Sequence, residues 1–173
     1  LTAHSGLTGY PALSADGRLI AYASDRSGEG NLDIWWQQTG STEGNFRLTH
    51  DEADKYEPSF SSDGTRIVFR SEKEGGGIYV VPTPGGEPRL IARGGRRPRF
   101  SPDDKSIAYF AGFVSQNSMI GTTKTYIVPV TGGPPREAGA PLLMTRQPVW
   151  MPDGRRVLLL GRMDSRESLD WWV

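Results

Sequence analysis

The chain has no cysteine. Disulfides, thiol catalysis and cysteine-ligated metal are therefore excluded, although that absence does not assign a compartment. Histidine is scarce as well: His4 and His50 are the only two, at comparable places after Leu1-Thr2 and Leu48-Thr49. They read as solvated loop residues, since a metal site or catalytic triad needs partners that the sequence does not present. Long apolar runs are missing. Val157-Leu158-Leu159-Leu160 is among the longest, far short of the roughly 20 residues that cross a bilayer. No signal-peptide pattern opens the segment; because residue 1 already falls inside a repeat, targeting signals would lie outside it. Charge of one sign is also lacking. Twenty basic and 20 acidic residues cancel, so no global field draws the chain to nucleic acid or an anionic membrane. Neither a G-x-S-x-G nucleophile elbow nor a phosphate-binding G-x-x-x-x-G-K-[ST] occurs, and Gly75-Gly76-Gly77 and Gly94-Gly95 read as turns.

What is abundant is glycine and proline, 22 and 13 residues. That is too many for a helical protein and suits short strands joined by turns. One pattern recurs four times, starting at Pro11, Pro58, Pro98 and Pro148. An apolar residue follows two positions on: Leu13, Phe60, Phe100, Trp150. The acid is Asp16, Asp63, Asp103, Asp153, then Gly17, Gly64, Asp104, Gly154. An aliphatic (Ile20, Ile67, Ile107, Val157) and then Tyr22, Phe69, Tyr109 and Leu159 complete each copy. A period of about 40–50 residues signifies a repeat architecture.

Each copy opens on an extended run: Tyr10 to Ser14, Tyr56 to Ser61, Arg97 to Ser101, Gln147 to Met151. The proline is expected at the start of that strand, where no ladder donor is needed. Asp-Gly then predicts a hairpin. Second strands follow at Leu19 to Ser24, Arg66 to Ser71, Ser106 to Ala111 and Arg156 to Gly161. Third strands rich in aromatic and β-branched residues are expected at Leu32 to Gln37, Ile78 to Pro82, Thr125 to Val130 and Leu169 to Val173. Short fourth strands include Phe46 to Thr49 and Pro88 to Ala92. Four antiparallel strands per unit describe a β-propeller blade, so the fold class is all-β, with blade units near 9–49, 55–92, 97–139 and 147–173. Asp104 in place of glycine suggests a differently shaped third hairpin, and Met151 and Leu159 a different packing contact in the fourth.

Tyr10-Pro11-Ala12-Leu13-Ser14-Ala15-Asp16-Gly17, Glu57-Pro58-Ser59-Phe60-Ser61-Ser62-Asp63-Gly64 and Asp25-Arg26-Ser27-Gly28 resemble the WD-like repeat of the TolB-like propeller family. The resemblance covers almost the whole chain. It implies the fold, and it leaves function open among TolB-type proteins, sensory domains of bacterial kinases and regulators, and the propellers of prolyl-oligopeptidase-type peptidases. Members of the TolB type usually have six blades. Leu1-Thr2 parallels Leu48-Thr49 and reads as an outer strand of a preceding blade, whereas Asp170-Trp171-Trp172-Val173 parallels Asp33-Ile34-Trp35-Trp36. Either the chain is cut from a longer array, or Leu1-Thr2 closes a small ring; an open arc would favour self-association through its edges.

Candidate sites follow from subtracting the repeat. The turn aspartates recur at every hairpin and are structural. Asp51-Glu52-Ala53-Asp54-Lys55-Tyr56-Glu57 offers carboxylates to a hard cation, but lacks the spacing of a known loop and reads as a solvated inter-blade segment. Arg89, Arg93, Arg96, Arg97 and Arg99 could grip phosphate or carboxylate; without interleaved aromatics they do not suggest nucleic acid. Trp35-Trp36 and Trp171-Trp172 are expected mainly to pack the core. In a propeller, residues just before the repeat proline should ring the channel mouth: Tyr10, Glu57, Arg97 and Gln147, with Gly9, Tyr56, Arg96 and Arg146 behind them. Variable polar residues on a constant frame are how such a fold builds a specific site. The insertion from Phe113 to Lys124 is a second candidate. The expected role is a non-catalytic protein-interaction or ligand-sensing module of a larger bacterial, extracytoplasmic (periplasmic) protein. Its partner would be a protein or small ligand, acidic in character, with no cofactor or metal. The alternatives are the gating propeller of a peptidase and a glycan or metal binder.

Overall fold

A computed structural model describes residues 6–41, 44–112, 123–164 and 168–173. The expected strand at Leu1-Thr2, His4 and residues 113–122 of the expected insertion lie outside the described residues. Four antiparallel sheets follow one another along the chain. The first is β1 (Thr8–Leu13), β2 (Leu19–Ser24), β3 (Asp33–Gln38) and β4 (Phe46–Arg47). The second is β5 (Lys55–Phe60), β6 (Arg66–Ser71), β7 (Gly77–Pro82) and β8 (Arg89–Arg93). The third is β9 (Arg96–Phe100), β10 (Ser106–Ala111), β11 (Lys124–Pro129) and β12 (Arg136–Ala138). The fourth has three strands among the described residues: β13 (Met144–Trp150), β14 (Val157–Arg162) and β15 (Asp170–Trp172). Strands pair in chain order within each sheet, and β1 packs on β5, β5 on β9 and β9 on β13. These are propeller blades with their first strands innermost.

The second strands explain why the blades stack. Ile67 and Phe69 of β6 face the first blade with Ala21, Ala23 and Ile34, whereas Val68 between them faces the third blade with Ile107 and Val128. A strand buried on both faces needs an unbroken apolar run, which Ile67-Val68-Phe69 supplies. Each such side chain contributes about 1.5–3 kcal/mol on burial.

The first three hairpins between first and second strands share one construction, and the fourth, with Met151 in place of the serine, keeps only its backbone N–H bonds to Met151 O and Asp153. Ser14 Oγ donates to Asp16 Oδ1 at 2.6 Å, Arg18 N–H donates to the same oxygen at 3.0 Å, and Gly17 N–H reaches Ser14 O at 2.9 Å. Ser61–Asp63 and Ser101–Asp103 repeat the pair at 2.6 Å each. These bonds favour the ionised carboxylates; the Ser61 hydroxyl and the Thr65 amide and hydroxyl hold Asp63 down to about 2. Asp104 does not change the hairpin as expected. Its φ of 57° stands beside 70°, 70° and 65° at the equivalent glycines, and its N–H makes the same bond to Ser101 O. Aspartate tolerates this left-handed setting. Its carboxylate also reaches across to the second blade's turn, accepting from Ser62 N–H at 2.7 Å and from Ser62 Oγ at 2.5 Å.

The repeat proline is inside its strand, not at the start. Gly9 pairs with Ala23 and Ala12 with Ala21, so Tyr10 and Pro11 together oppose Tyr22 alone. The same two-against-one arrangement sets Glu57-Pro58 against Phe69, Arg97-Pro98 against Tyr109 and Gln147-Pro148 against Leu159. It is a β-bulge, which suits a residue that has no N–H to give the ladder. The residue before proline is left-handed each time, with φ 56° at Tyr10, 56° at Glu57, 48° at Arg97 and 53° at Gln147. Such settings cost about 1–3 kcal/mol each for a residue with a Cβ. Leu159, buried opposite its bulge, fills the same place as its aromatic counterparts.

Candidate functional site

The bulges re-aim side chains toward the axis. Tyr10, Glu57 and Arg97 converge from three blades, and with Pro11, Pro58 and Arg99 they line a cleft of about 90 Å³. Glu57 Oε2 accepts the backbone N–H of Arg97 at 2.6 Å, and its other oxygen lies 4.0 Å from the Arg97 guanidinium. Tyr10 packs edge-on against Tyr56, ring centroids 5.7 Å apart at 82°. Tyr56 O–H donates to Asp54 at 3.0 Å; burial and that carboxylate push its phenol up to about 12.

In this cleft Arg99 is the group whose charge is least answered. Its Nη1 donates to Pro98 O at 2.9 Å, and it makes no ion pair among the described residues. Burial, with Arg97 acting in the same direction and Glu57 opposing, pushes its guanidinium below the ordinary arginine range. It nonetheless stays charged at any physiological pH. The cleft thus holds two guanidinium groups and one carboxylate, with exposed Arg96 next in sequence.

The remaining candidates are dispersed. Arg146 and Gln147 on β13 do not line this cleft, and Arg146 Nε is buried without a hydrogen-bond partner. The five-arginine stretch does not form one surface. Arg89 and Arg93 are on β8, the outer strand of the second blade, bonded to Val130 O and Glu74 O, while Arg96, Arg97 and Arg99 are on innermost β9. The core expectation fails for Trp171, which is 51% exposed; Trp36 instead stacks on Phe46, centroids 4.5 Å apart. His50 is exposed.

The acidic loop is a staple between blades. Fully buried Lys55 bonds Asp33 Oδ1 at 3.1 Å and pairs with Asp51 at 2.7 Å; Asp33, itself buried, also takes Arg47 at 2.7 Å and Thr49 Oγ1 at 2.8 Å. Arg47 continues the network to Glu29. Among the described residues no group of three or more His, Asp or Glu side chains could hold a metal ion. The one sequence signal for this network is Asp33 itself, an acid where the second and third blades carry Gly77 and Lys124.

Inner strands ringing an axis, blades stacked through their faces and variable residues at a repeated bulge define a β-propeller. Residues 1–123 match the TolB beta propeller domain, and the chain belongs to that family. It is similar in fold to TolB from Acinetobacter baumannii, with a TM-score of 0.76 at 20% identity over 98% of this chain and 41% of that one. Oligogalacturonate lyase from Vibrio parahaemolyticus matches with a TM-score of 0.72 at 16% identity, over 99% of this chain and 51% of that one. At those identities both likenesses show fold alone. In sequence the chain is 33% identical over 106 residues to the uncharacterized peptidase YuxL of Bacillus subtilis (strain 168), 56% of this chain and 16% of that protein. The chain therefore spans a minor part of that peptidase, two fifths of TolB and half of the lyase.

Proposed function

We propose that this chain is a non-catalytic recognition propeller of a larger extracytoplasmic bacterial protein, and that its channel mouth receives an acidic group of a protein or small-ligand partner. The observation that supports this reading is Arg99: a half-buried guanidinium on the wall of the cleft, with no carboxylate paired to it. A carboxylate entering between Arg97 and Arg99 gains charge-assisted bonds where water is already partly excluded. Binding needs no bond chemistry, and the turn aspartates and the buried Asp33–Lys55 pair belong to the frame.

The test is calorimetric titration of the chain with a capped peptide carrying one Glu, against the same peptide carrying Gln. The Glu peptide is expected to bind about tenfold more tightly or better. Arg97→Gln with Arg99→Gln should remove that preference and leave the melting temperature within a few degrees. Equal binding of both peptides, or an undiminished preference in the double variant, overturns the reading.

The second reading is an accessory propeller that gates a peptidase, favoured by the 33% identity to YuxL. It differs in what the mouth does: an accessory propeller passes peptides on, so the unit attached to it would cleave them. Peptide hydrolysis by the full-length protein, lost when Ser nucleophiles outside this segment are replaced, would favour it.

A further inference from the structure

A second cavity adjoins the arginine cleft, with Tyr10 forming part of both walls. It measures about 290 Å³, and Tyr10, Tyr56, Asp25, Asp54, Gly30 and Asn31 are among its lining residues. Its charge is the reverse of its neighbour's. Asp25 contributes the unanswered group: Oδ1 is buried and has no hydrogen-bond partner. A buried carboxylate oxygen left unpaired is costly, and a donor that reaches the Asp25 carboxylate offsets that cost. Asp54 is already committed, Oδ1 to Leu32 N–H at 2.8 Å and Oδ2 to Tyr56 O–H at 3.0 Å. The Asn31 side-chain amide donates to Asp33 and to Asp51 O.

That leaves Asp25 as the carboxylate with an unpartnered oxygen in a cavity that Tyr10 and Tyr56 also line, which selects the ligand. A hard divalent cation takes six to eight oxygens or a near-ideal octahedron, and the cavity does not offer them. An ammonium group needs one carboxylate and a π-face. The Tyr56 ring shows that attraction directly: Arg70 stands 5.2 Å over it and is itself paired with Glu72. Tyr10, 49% exposed, presents the remaining aromatic surface.

We infer that the cavity at Asp25 binds an organic ammonium group, such as a lysine side chain or a chain N-terminus. Resting on the acid-binding reading of the arginine cleft, the mouth then recognises a dipolar ligand, with ammonium on one side of the Tyr10 ring and carboxylate on the other. Two weak contacts joined by a short linker multiply in affinity without any new interaction.

The test is an amide NMR titration of the chain with three capped peptides, carrying one Lys, one Glu, or both. The Lys peptide should shift the amides of Gly30–Leu32 and Tyr10, and the peptide with both should bind about tenfold more tightly than either. Asp25→Asn, which keeps shape and removes charge, should weaken the Lys peptide about tenfold and leave the Glu peptide unaffected. Tyr10→Leu, at a half-exposed position, should weaken the Lys peptide as well and serves if Asp25→Asn fails to fold. If the Lys peptide causes no shift, or binds both variants as it binds the parent, the ammonium site is overturned while Glu binding preserves the arginine cleft. Loss of Glu binding alone overturns the cleft instead. Displacement of the Lys peptide by calcium chloride at equal concentration would assign the cavity to a hard cation and overturn the inference. A free amine tested as n-butylammonium distinguishes a side chain from an N-terminus mimicked by glycinamide.

Discussion

The two inter-blade seams that the structure describes most fully are built on opposite principles. Between the first and second blades the seam is closed by charge, with Lys55, Asp33, Arg47 and Asp51 in one network beneath the mouth. Between the second and third it is closed by proximity. There Gly95 lets the blades approach, and a Cβ at that position would come within 2.6 Å of the Tyr109 ring and 3.1 Å of Ile78. The first seam depends on buried charged partners; the second depends on closeness, and its Asp104–Ser62 bonds lie at the exposed edge. One blade frame thus accepts two unlike kinds of closure, because the apolar stack on either side supplies the bulk of the attraction.

The sharpest way to break this comparison is to remove one charge. Lys55→Met leaves Asp33 buried with one cation fewer, and breaking a buried pair costs about 3–5 kcal/mol. Chemical denaturation should show that loss, whereas Arg93→Met, which removes an exposed pair with Glu74 inside the second blade, should be close to neutral. The converse is Gly95→Ala. With φ at 93° and Tyr109 in the way, it should cost about 1–3 kcal/mol. Recovery of part of the loss in Gly95→Ala with Tyr109→Leu would confirm that volume is the cause. If closeness were incidental, only the cost of the left-handed backbone would remain and Tyr109→Leu would recover none of it.

A smaller effect tests whether the second seam is wholly apolar. Asp104→Gly keeps the left-handed turn and deletes the bonds to Ser62, so about 1 kcal/mol should be lost on thermal melting. An unchanged melting temperature would mean that this clamp is idle. The smallest effect concerns acid. Burial alone would raise the Asp51 carboxyl, but the Lys55 bond and the Ala53 amide outweigh it, so the group titrates below its ordinary value near 3.8. A carboxyl lowered by folding stabilises the fold above that ordinary value and ceases to do so as pH falls through the lowered one. Hydrogen exchange at Leu32 and Ile34 should therefore quicken below about pH 4 before exchange at Ile78 does, and Asp51→Asn should abolish the difference.

Much of this architecture was legible because the repeat is rigid. Leu19–Ser24, Arg66–Ser71 and Ser106–Ala111 fall where alternation and the preceding Asp-Gly or Asp-Asp turn put them. The sequence hides the proline's mid-strand place because a residue before proline ordinarily takes extended backbone, so a left-handed residue there runs against local preference. Asp33 and Lys55 are 22 residues apart, and only blade stacking makes them partners, which no local pattern encodes. Asp25 is hidden for a different reason. Asp25-Arg26-Ser27-Gly28 reads as a family turn, and nothing in it tells that one carboxylate oxygen ends buried and unpaired. The arginine stretch misled by its density: five cations close in sequence are divided between the outer strand of one blade and the inner strand of the next.

Tyr10, Glu57, Arg97 and Gln147 hold a single dihedral setting with four different side chains. Change and stability are thereby uncoupled at these places. A substitution among unbranched residues that carry a Cβ meets about the same backbone strain as the residue it replaces, so selection acts chiefly on what the side chain touches, as Glu57 touches the Arg97 amide. A lineage, or a protein engineer, has here a set of independent addresses at which recognition is rewritten while the scaffold stays as it was.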